Sequence, residues 1–392
     1  VTLAHACSAF AGLSVAPLSP FLLDSLRMSR SQVGWLLPAL YLGGVVMSLP
    51  AGWLVDRLGV RMALVLGLAL TGVMIGAGAM SPNLPALLVC LCVGGFGWSV
   101  LNPGSGKAIV EAFSPQQRGM AMGIKQTGLT LGGVGASLIL PPIAVAVGWR
   151  DALLVAGAAS LGCAVIVAIG LRAPGTPTTR AAANRPRPSD LLPFLRRPGL
   201  VVLFASGFLL SVLQAAVLSY MVLYAKESLD YSAVAAAGLL AIAQAGGTVS
   251  RLLWGFVSDW FFGGRRRPGL VINALVGAAS YLALALSAVP AALAPVLAAV
   301  AGAAAFGYMG LYLALVAEVG GVRYAGLLTG VAVTFAWSGV LVGPPVFGLV
   351  LEASGTYQLP WLLLAVVAVG VAIALHRLQP LVQRTPATQP AR

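Results

Sequence analysis

GWLVDRLGVR, residues 52–61, sets one aspartate and two arginines among glycines directly after more than twenty residues without a charge. GFVSDWFFGGRRR begins at Gly255 after another long, mainly apolar run, and again places a glycine, an acid four residues on, and a basic cluster. The two glycines are 203 residues apart in a chain of 392. Other residues repeat at the same offset: Leu26 with Leu229, Ser29 with Ser232, Gly43 and Gly44 with Gly246 and Gly247, and Asp56 with Asp259. The chain therefore reads as two copies of one unit, each carrying a charged turn in the same place.

Composition says where those units live. Charged residues are 8% of the chain against about 25% in an ordinary soluble protein. Hydrophobic residues are 59%. A water-soluble fold is excluded. The apolar runs fall at 3–23, 32–55, 61–80, 84–112, 120–147, 152–171, 200–225, 233–260, 269–288, 291–317, 325–350 and 358–376, each near or above the roughly 20 residues that cross about 30 Å of hydrocarbon as a helix. They are continuously apolar and do not alternate with period 2, which selects helices over a barrel. The expected fold is an all-α integral membrane protein of twelve transmembrane helices in two pseudo-symmetric six-helix bundles. The bundles are expected at 1–172 and 199–378, joined by a cytoplasmic linker at 173–198 rich in Pro, Thr, Ala and Arg and followed by a cytoplasmic tail at 379–392.

With both termini inside, one face receives Arg57, Arg61, Arg118, Arg265 to Arg267, Arg323 and the arginines of the linker and tail, whereas the other receives only Arg27, Arg30, Arg150 and Lys226. This positive-inside bias accounts for the net charge of +13 and places the chain in the cytoplasmic membrane as a multi-pass protein. The charges are scattered over loops and form no basic face, so no nucleic acid is expected as a partner. No cleavable signal peptide is expected. Cys7, Cys90, Cys92 and Cys163 all lie in apolar spans and read as packing residues, with no metal site. GSGK at 104–107 imitates a phosphate loop, but Leu101 and Ala108 stand where that motif needs glycine and Ser or Thr. His5 and His376 lie near opposite ends of the chain with no carboxylate spaced for a triad. The chain is not expected to be an enzyme, and no catalytic residue or cofactor is assigned.

The paired units and the charged turn resemble the major facilitator superfamily over essentially the whole chain. Gly52, Asp56, Arg57, Gly59 and Arg61 match that family's loop between helices 2 and 3, and Gly255 and Asp259 keep its degenerate copy between helices 8 and 9, with one extra residue before Gly263. The resemblance implies a secondary transporter with its site between the halves at mid-membrane. The motif makes physical sense as a conformational latch: Asp56 can pair with nearby arginines or a helix N-terminus, and Gly52 and Gly255 would allow close helix approach. Arg57 and Arg61 read equally as latch or as topology markers.

Charges inside spans are costly and mark function. Lys107, Lys125 and Arg251 qualify, with no acid equally deep in the first half; the interior is cationic and favours an anion. Arg251 stands about 12 Å along its helix from Asp259 and shares a stripe with Gln244 and Thr248. Its planar fork suits a carboxylate, and it resembles the helix 8 arginine that binds substrate in monocarboxylate and oxalate-type carriers. A structural pair with Glu318 is the alternative. Lys107 can pair with Glu111 one turn on, and Lys107, Arg118 and the Lys125-Gln126 segment resemble the fourth and fifth helices of bacterial organic-anion carriers, where a basic residue gates the inner mouth. Asn102, Gln126, Tyr220, Tyr308 and Tyr312 complete the expected lining.

The match has gaps. Gly247 replaces the acid expected before Arg251, and the eleventh span carries no lysine, so exchange and facilitated transport stay open alongside a coupled ion. Ser48 excludes the nitrate-porter pattern. Multidrug efflux and a non-transporting membrane sensor are the alternatives; GLTLGGVGASLILPPI, residues 128–143, lacks the exporter signature. The expected partners are a small anionic substrate and the bilayer, with the chain a monomer.

Overall fold

A computed structural model describes residues 1–114, 117–171, 198–286 and 289–378. The linker at 173–198, apart from Pro198, and the tail at 379–392 lie outside the described residues. The helices are α1 (Thr2–Gly12), α2 (Ser19–Ser25), α3 (Arg30–Val33), α4 (Leu36–Gly78), α5 (Leu84–Ala112), α6 (Arg118–Val147), α7 (Trp149–Gly170), α8 (Pro198–Ser228), α9 (Ala233–Trp260), α10 (Arg266–Ala285), α11 (Ala294–Ser354) and α12 (Gln358–Arg377). Twelve membrane crossings follow: α1 with α2 is the first, the two arms of α4 are the second and third, α5 to α10 are the fourth to ninth, the two arms of α11 are the tenth and eleventh, and α12 is the last.

The expected span 3–23 is not one regular helix. Pro17 has no N–H to donate, and the chain between α1 and α2 tightens into i→i−3 bonds from Ser14 to Ala11, Ala16 to Leu13 and Ser19 to Ala16. Spans expected to be separate are instead joined through single glycines. Gly59 breaks α4 at φ +80 and ψ 161, and Gly321 breaks α11 at φ +58. Side chains with a Cβ rarely adopt such angles, so glycine is what allows these reversals without a longer loop.

The repeat is visible residue by residue. Arg27 and Asp230, again 203 apart, are the two non-glycine positive-φ residues among those described, at +50 and +55. Ser29 caps α3 by accepting from the Gln32 amide, and its counterpart Ser232 caps α9 by accepting from Ala235. Gly43 seats the second crossing on the fourth, where an added Cβ would lie 1.9 Å from the Cys92 carbonyl oxygen; Gly246 seats the eighth on the tenth, where it would lie 2.4 Å from that of Ala299. Small residues allow the backbones to approach this closely, and packing of this kind is what drives association where lipid is as apolar as leucine. The outward faces of the helices carry apolar side chains such as Ile169, Leu252 and Val366.

Gly52 and Gly255 do not make the close approach expected of them. A Cβ on either meets nothing within 4 Å. Both lie toward the face that carries the Gly59 and Gly263 turns and the chain ends at 171 and 198, called here the linker face. On the opposite, outer face the two halves are pinned together: Lys226 pairs with Asp24 at 3.1 Å and Arg30 with Glu227 at 2.8 Å. Glu352 accepts from the Ser29 hydroxyl and the Ser31 amide, and Tyr220 donates to the Arg30 carbonyl.

Candidate functional site

Three polar groupings lie within the membrane-spanning helices: one in the first half, one that links the halves and one in the second half. In the first half, Asn102 sits one residue before Pro103, which interrupts the α5 hydrogen-bond ladder. Its side-chain oxygen lies 3.5 Å from the Lys125 ammonium on α6 and 3.4 Å from His5 Nε2 on α1. Lys125 is buried while Asn102 is open to the space beside it. Gln126, half-buried, follows on the same helix.

The second grouping ties the halves together. Gln244 on α9 donates from Nε2 to Ser137 on α6 at 3.2 Å, and its side chain lies directly against Gly133. Thr248 donates back to the Gln244 carbonyl. The stripe read from the sequence is real, but its outer end is a strut between halves and its inner end is Arg251.

Arg251 forms the third. Its Nε donates to the Phe306 carbonyl on the tenth crossing at 2.8 Å, and the hydroxyls of Tyr41 and Tyr308 are its nearest electrostatic neighbours. The terminal guanidinium nitrogens have no hydrogen-bond or ion-pair partner among the described residues. Glu318, the structural partner weighed for it, is held instead by Arg266 at 3.1 Å. Tyr308 is itself fixed by Ser211 at 2.6 Å and Gln214 at 3.2 Å, both on α8. Tyr41, Trp98 and Trp337 pack as an aromatic group across the halves, with centroids 4.8 to 6.2 Å apart.

Two tyrosines fall elsewhere. Tyr220 is part of the outer seal, stacked on Phe347. Tyr312 is fully buried against Gly207, and its hydroxyl has no partner among the described residues. Helical spacing put each tyrosine on a face, but not at a depth. From the sequence His5 is weighed only for a catalytic triad, and Tyr41, Ser137, Ser211, Gln214 and Trp337 are not assigned to the site. A lone polar residue in an apolar run was the available signal for His5 and Gln214; nothing marked the others apart from packing residues.

The latch residues lie at the linker face. Lys107 does not pair with Glu111; it reaches Asp56 on the neighbouring crossing at 2.8 Å. Lysine placed before glutamate is the weaker helical order, and Asp56 offers a carboxylate at the end of a packed helix. Arg57 lies over the Trp53 ring at 5.2 Å, and Arg61 donates to the Ala168 carbonyl. Arg118 closes the end of α5 through the Val110 and Phe113 carbonyls. In the second half Asp259 pairs with Arg266 at 2.6 Å. Each of these described ion pairs stays within one half.

Residues 1–344 match the model of the Major Facilitator Superfamily, and the chain belongs to that family. It is 28% identical to an uncharacterised MFS-type transporter of Mycobacterium tuberculosis, over 90% of this chain and 78% of that protein. It is 23% identical to the hexuronate transporter of Bacillus subtilis, over 96% and 92%, and 25% identical to a protein of Cupriavidus necator named probable sulfoacetate transporter, over 93% and 89%. Among solved structures it resembles a bacterial homologue of the human lysosomal transporter Spinster, in an inward-facing and occupied conformation, with a TM-score of 0.78 at 17% identity over 96% of this chain and 94% of that one.

Proposed function

We propose that this member of the Major Facilitator Superfamily carries a small organic anion, a carboxylate or sulfonate, across the bacterial inner membrane by alternating access, with Arg251 as the principal anion ligand. The observation that carries the reading is the unpaired end of the Arg251 guanidinium at mid-depth. Arg251 is half-buried; a cation at membrane depth without a partner is unfavourable, and an arginine's fork matches a planar oxyanion in two parallel hydrogen bonds. Hexuronate and sulfoacetate, named for two relatives, are both organic anions.

Lys125, with Asn102 and His5, supplies the facing contact from the first half, so an anion bound between them draws on both halves at once. The outer face is sealed by contacts between the halves, which corresponds to the inward-facing state when the linker face is cytoplasmic, as the arginine distribution favours. The boundaries at 172 and 199, the cytoplasmic termini and a monomeric carrier complete the proposal.

The energy scale suits switching. The two outer ion pairs are partly exposed, and such pairs contribute about 0.2–1 kcal/mol each; the accompanying hydrogen bonds contribute about 1 kcal/mol each. A seal of a few kcal/mol is within reach of a ligand's differential affinity for two states.

The test is a thermal-shift series on the purified protein with small mono- and dicarboxylates, sulfonates and neutral sugars. At a hundred times its dissociation constant a ligand stabilises by about 2.7 kcal/mol. Stabilisation by anions and not by neutral controls is expected; stabilisation by neutral or cationic compounds alone would contradict the proposal.

A further inference from the structure

The geometry points to a binding site for an anionic membrane phospholipid on the lipid-facing side of the second half, separate from the central site. A cavity of about 680 Å³ opens between α9, α10 and the first arm of α11, walled by Val249, Leu253, Val257, Val276, Val300 and Ala303. Its one amide, Asn273, is already engaged: it accepts from the Trp254 indole at 3.0 Å and donates to the Ala304 carbonyl at 2.8 Å. Apart from the Ser250 hydroxyl the rest of the wall is apolar, and it offers an acyl chain a surface.

The dimensions fit one leaflet. Along α9 the groove runs from Gly246 to Val257, eleven residues or about 16 Å at the helical rise. That is about half of the ~30 Å hydrocarbon thickness, so the groove starts near mid-membrane and ends at the linker face. Phe262 closes that end, and Trp260 and Phe261 beside it are 77% and 73% exposed, the aromatic placement typical of a headgroup boundary.

Charge at the mouth selects the headgroup. Of the three consecutive arginines, Arg266 is taken by Asp259 and Glu318, and Arg267 by the carbonyls of His376 and Leu378. Arg265 is exposed and its side chain has no partner among the described residues. Its backbone is nevertheless fixed: its amide donates to the Phe262 carbonyl, and its carbonyl accepts from the Ser258 hydroxyl. A cation is thus held at the open end of an apolar slot one leaflet deep. An anionic phospholipid satisfies both, with an acyl chain in the groove and its phosphate at Arg265.

The experiment is native mass spectrometry of the full-length protein, released from nanodiscs of mixed phosphatidylglycerol and phosphatidylcholine, comparing the parent chain with Arg265→Gln and with Ala303→Phe. The parent should retain phosphatidylglycerol preferentially. Arg265→Gln should lower that preference about fivefold, the share of one arginine near an anionic surface, while phosphatidylcholine retention is unchanged. Ala303→Phe, which fills the groove, should reduce retention of both lipids. Melting temperature in lipid-free detergent, near parental for both variants, certifies the fold. Equal phosphatidylglycerol retention in all three proteins would overturn the site. So would displacement of the lipid by millimolar inorganic phosphate, which would mark a headgroup-only contact, or a dimer of this chain lost with Ala303→Phe, which would make the groove an interface.

Discussion

Arg251 and Arg266 stand on adjacent crossings of one hairpin and meet opposite surroundings. Arg266, at the linker face, has two carboxylates, Asp259 at 2.6 Å and Glu318 at 3.1 Å. Arg251, deep in the same half, has a backbone carbonyl and two tyrosines nearby, and no acid among the described residues. Charge balance at the surface serves packing and topology, where water lowers the cost of any mismatch. Imbalance at depth has no such relief, and a fold that maintains it leaves room for an anion from outside. The same contrast separates Asp56, paired with Lys107, from Lys125, whose described polar neighbours are an amide and an imidazole.

Short of removing the deep charge altogether, the largest expected effect comes from changing the shape of that cation while keeping its charge. Arg251→Lys should weaken anion binding about 10- to 150-fold, the loss of one charge-assisted hydrogen bond of about 1.5–3 kcal/mol; calorimetry on the purified protein reads it. Near-parental affinity would mean that a point charge suffices. Arg266→Gln should behave in the opposite way: anion affinity unchanged, with stability lowered by about 0.2–1 kcal/mol for each of two half-exposed pairs, read as a modest drop in melting temperature. A selective loss of anion affinity there would dissolve the distinction between the two arginines. The smallest effect belongs to the outer seal. Glu227→Gln removes the charge that pairs with Arg30 and weakens the acceptor of the Tyr357 hydroxyl, and should shift the conformational equilibrium toward opening of the outer face by about 1 kcal/mol or less. Spin-label distances between residues flanking 30 and 227 measure the shift; a single unchanged distance distribution would show that other contacts hold the seal.

Much of this architecture was legible in the sequence because membrane solvation writes it plainly. Long apolar runs must be helices, and the offset of 203 marked residues that turn out to do equal jobs: Ser29 and Ser232 as caps, Gly43 and Gly246 as helix seats. What was illegible depends on which helices meet. Lys107 had Glu111 one turn away on its own helix, and only the packing of crossing 2 on crossing 4 supplies Asp56 instead. Gly52 and Gly255 look like contact glycines by type, yet they face no neighbour in this conformation. Pro17 signalled a break in the first span, but an apolar run hides it from a hydropathy reading. At the site, Gln244, Thr248 and Arg251 were found because three polar residues share one stripe, whereas Tyr41 and Ser137 came into view only with the second half in place.

Arg251→Gln, with ligand-free stability and anion binding measured on one preparation, tests the function most directly. An arginine that holds the substrate's charge predicts a folded protein of near-parental melting temperature whose anion affinity falls about 30- to 5000-fold, the 2–5 kcal/mol lost with a desolvated charge partner. A structural arginine predicts the reverse: a lower melting temperature without ligand and normal affinity in whatever remains folded. A stable Arg251→Gln protein that binds its anion as the parent does would contradict the assignment.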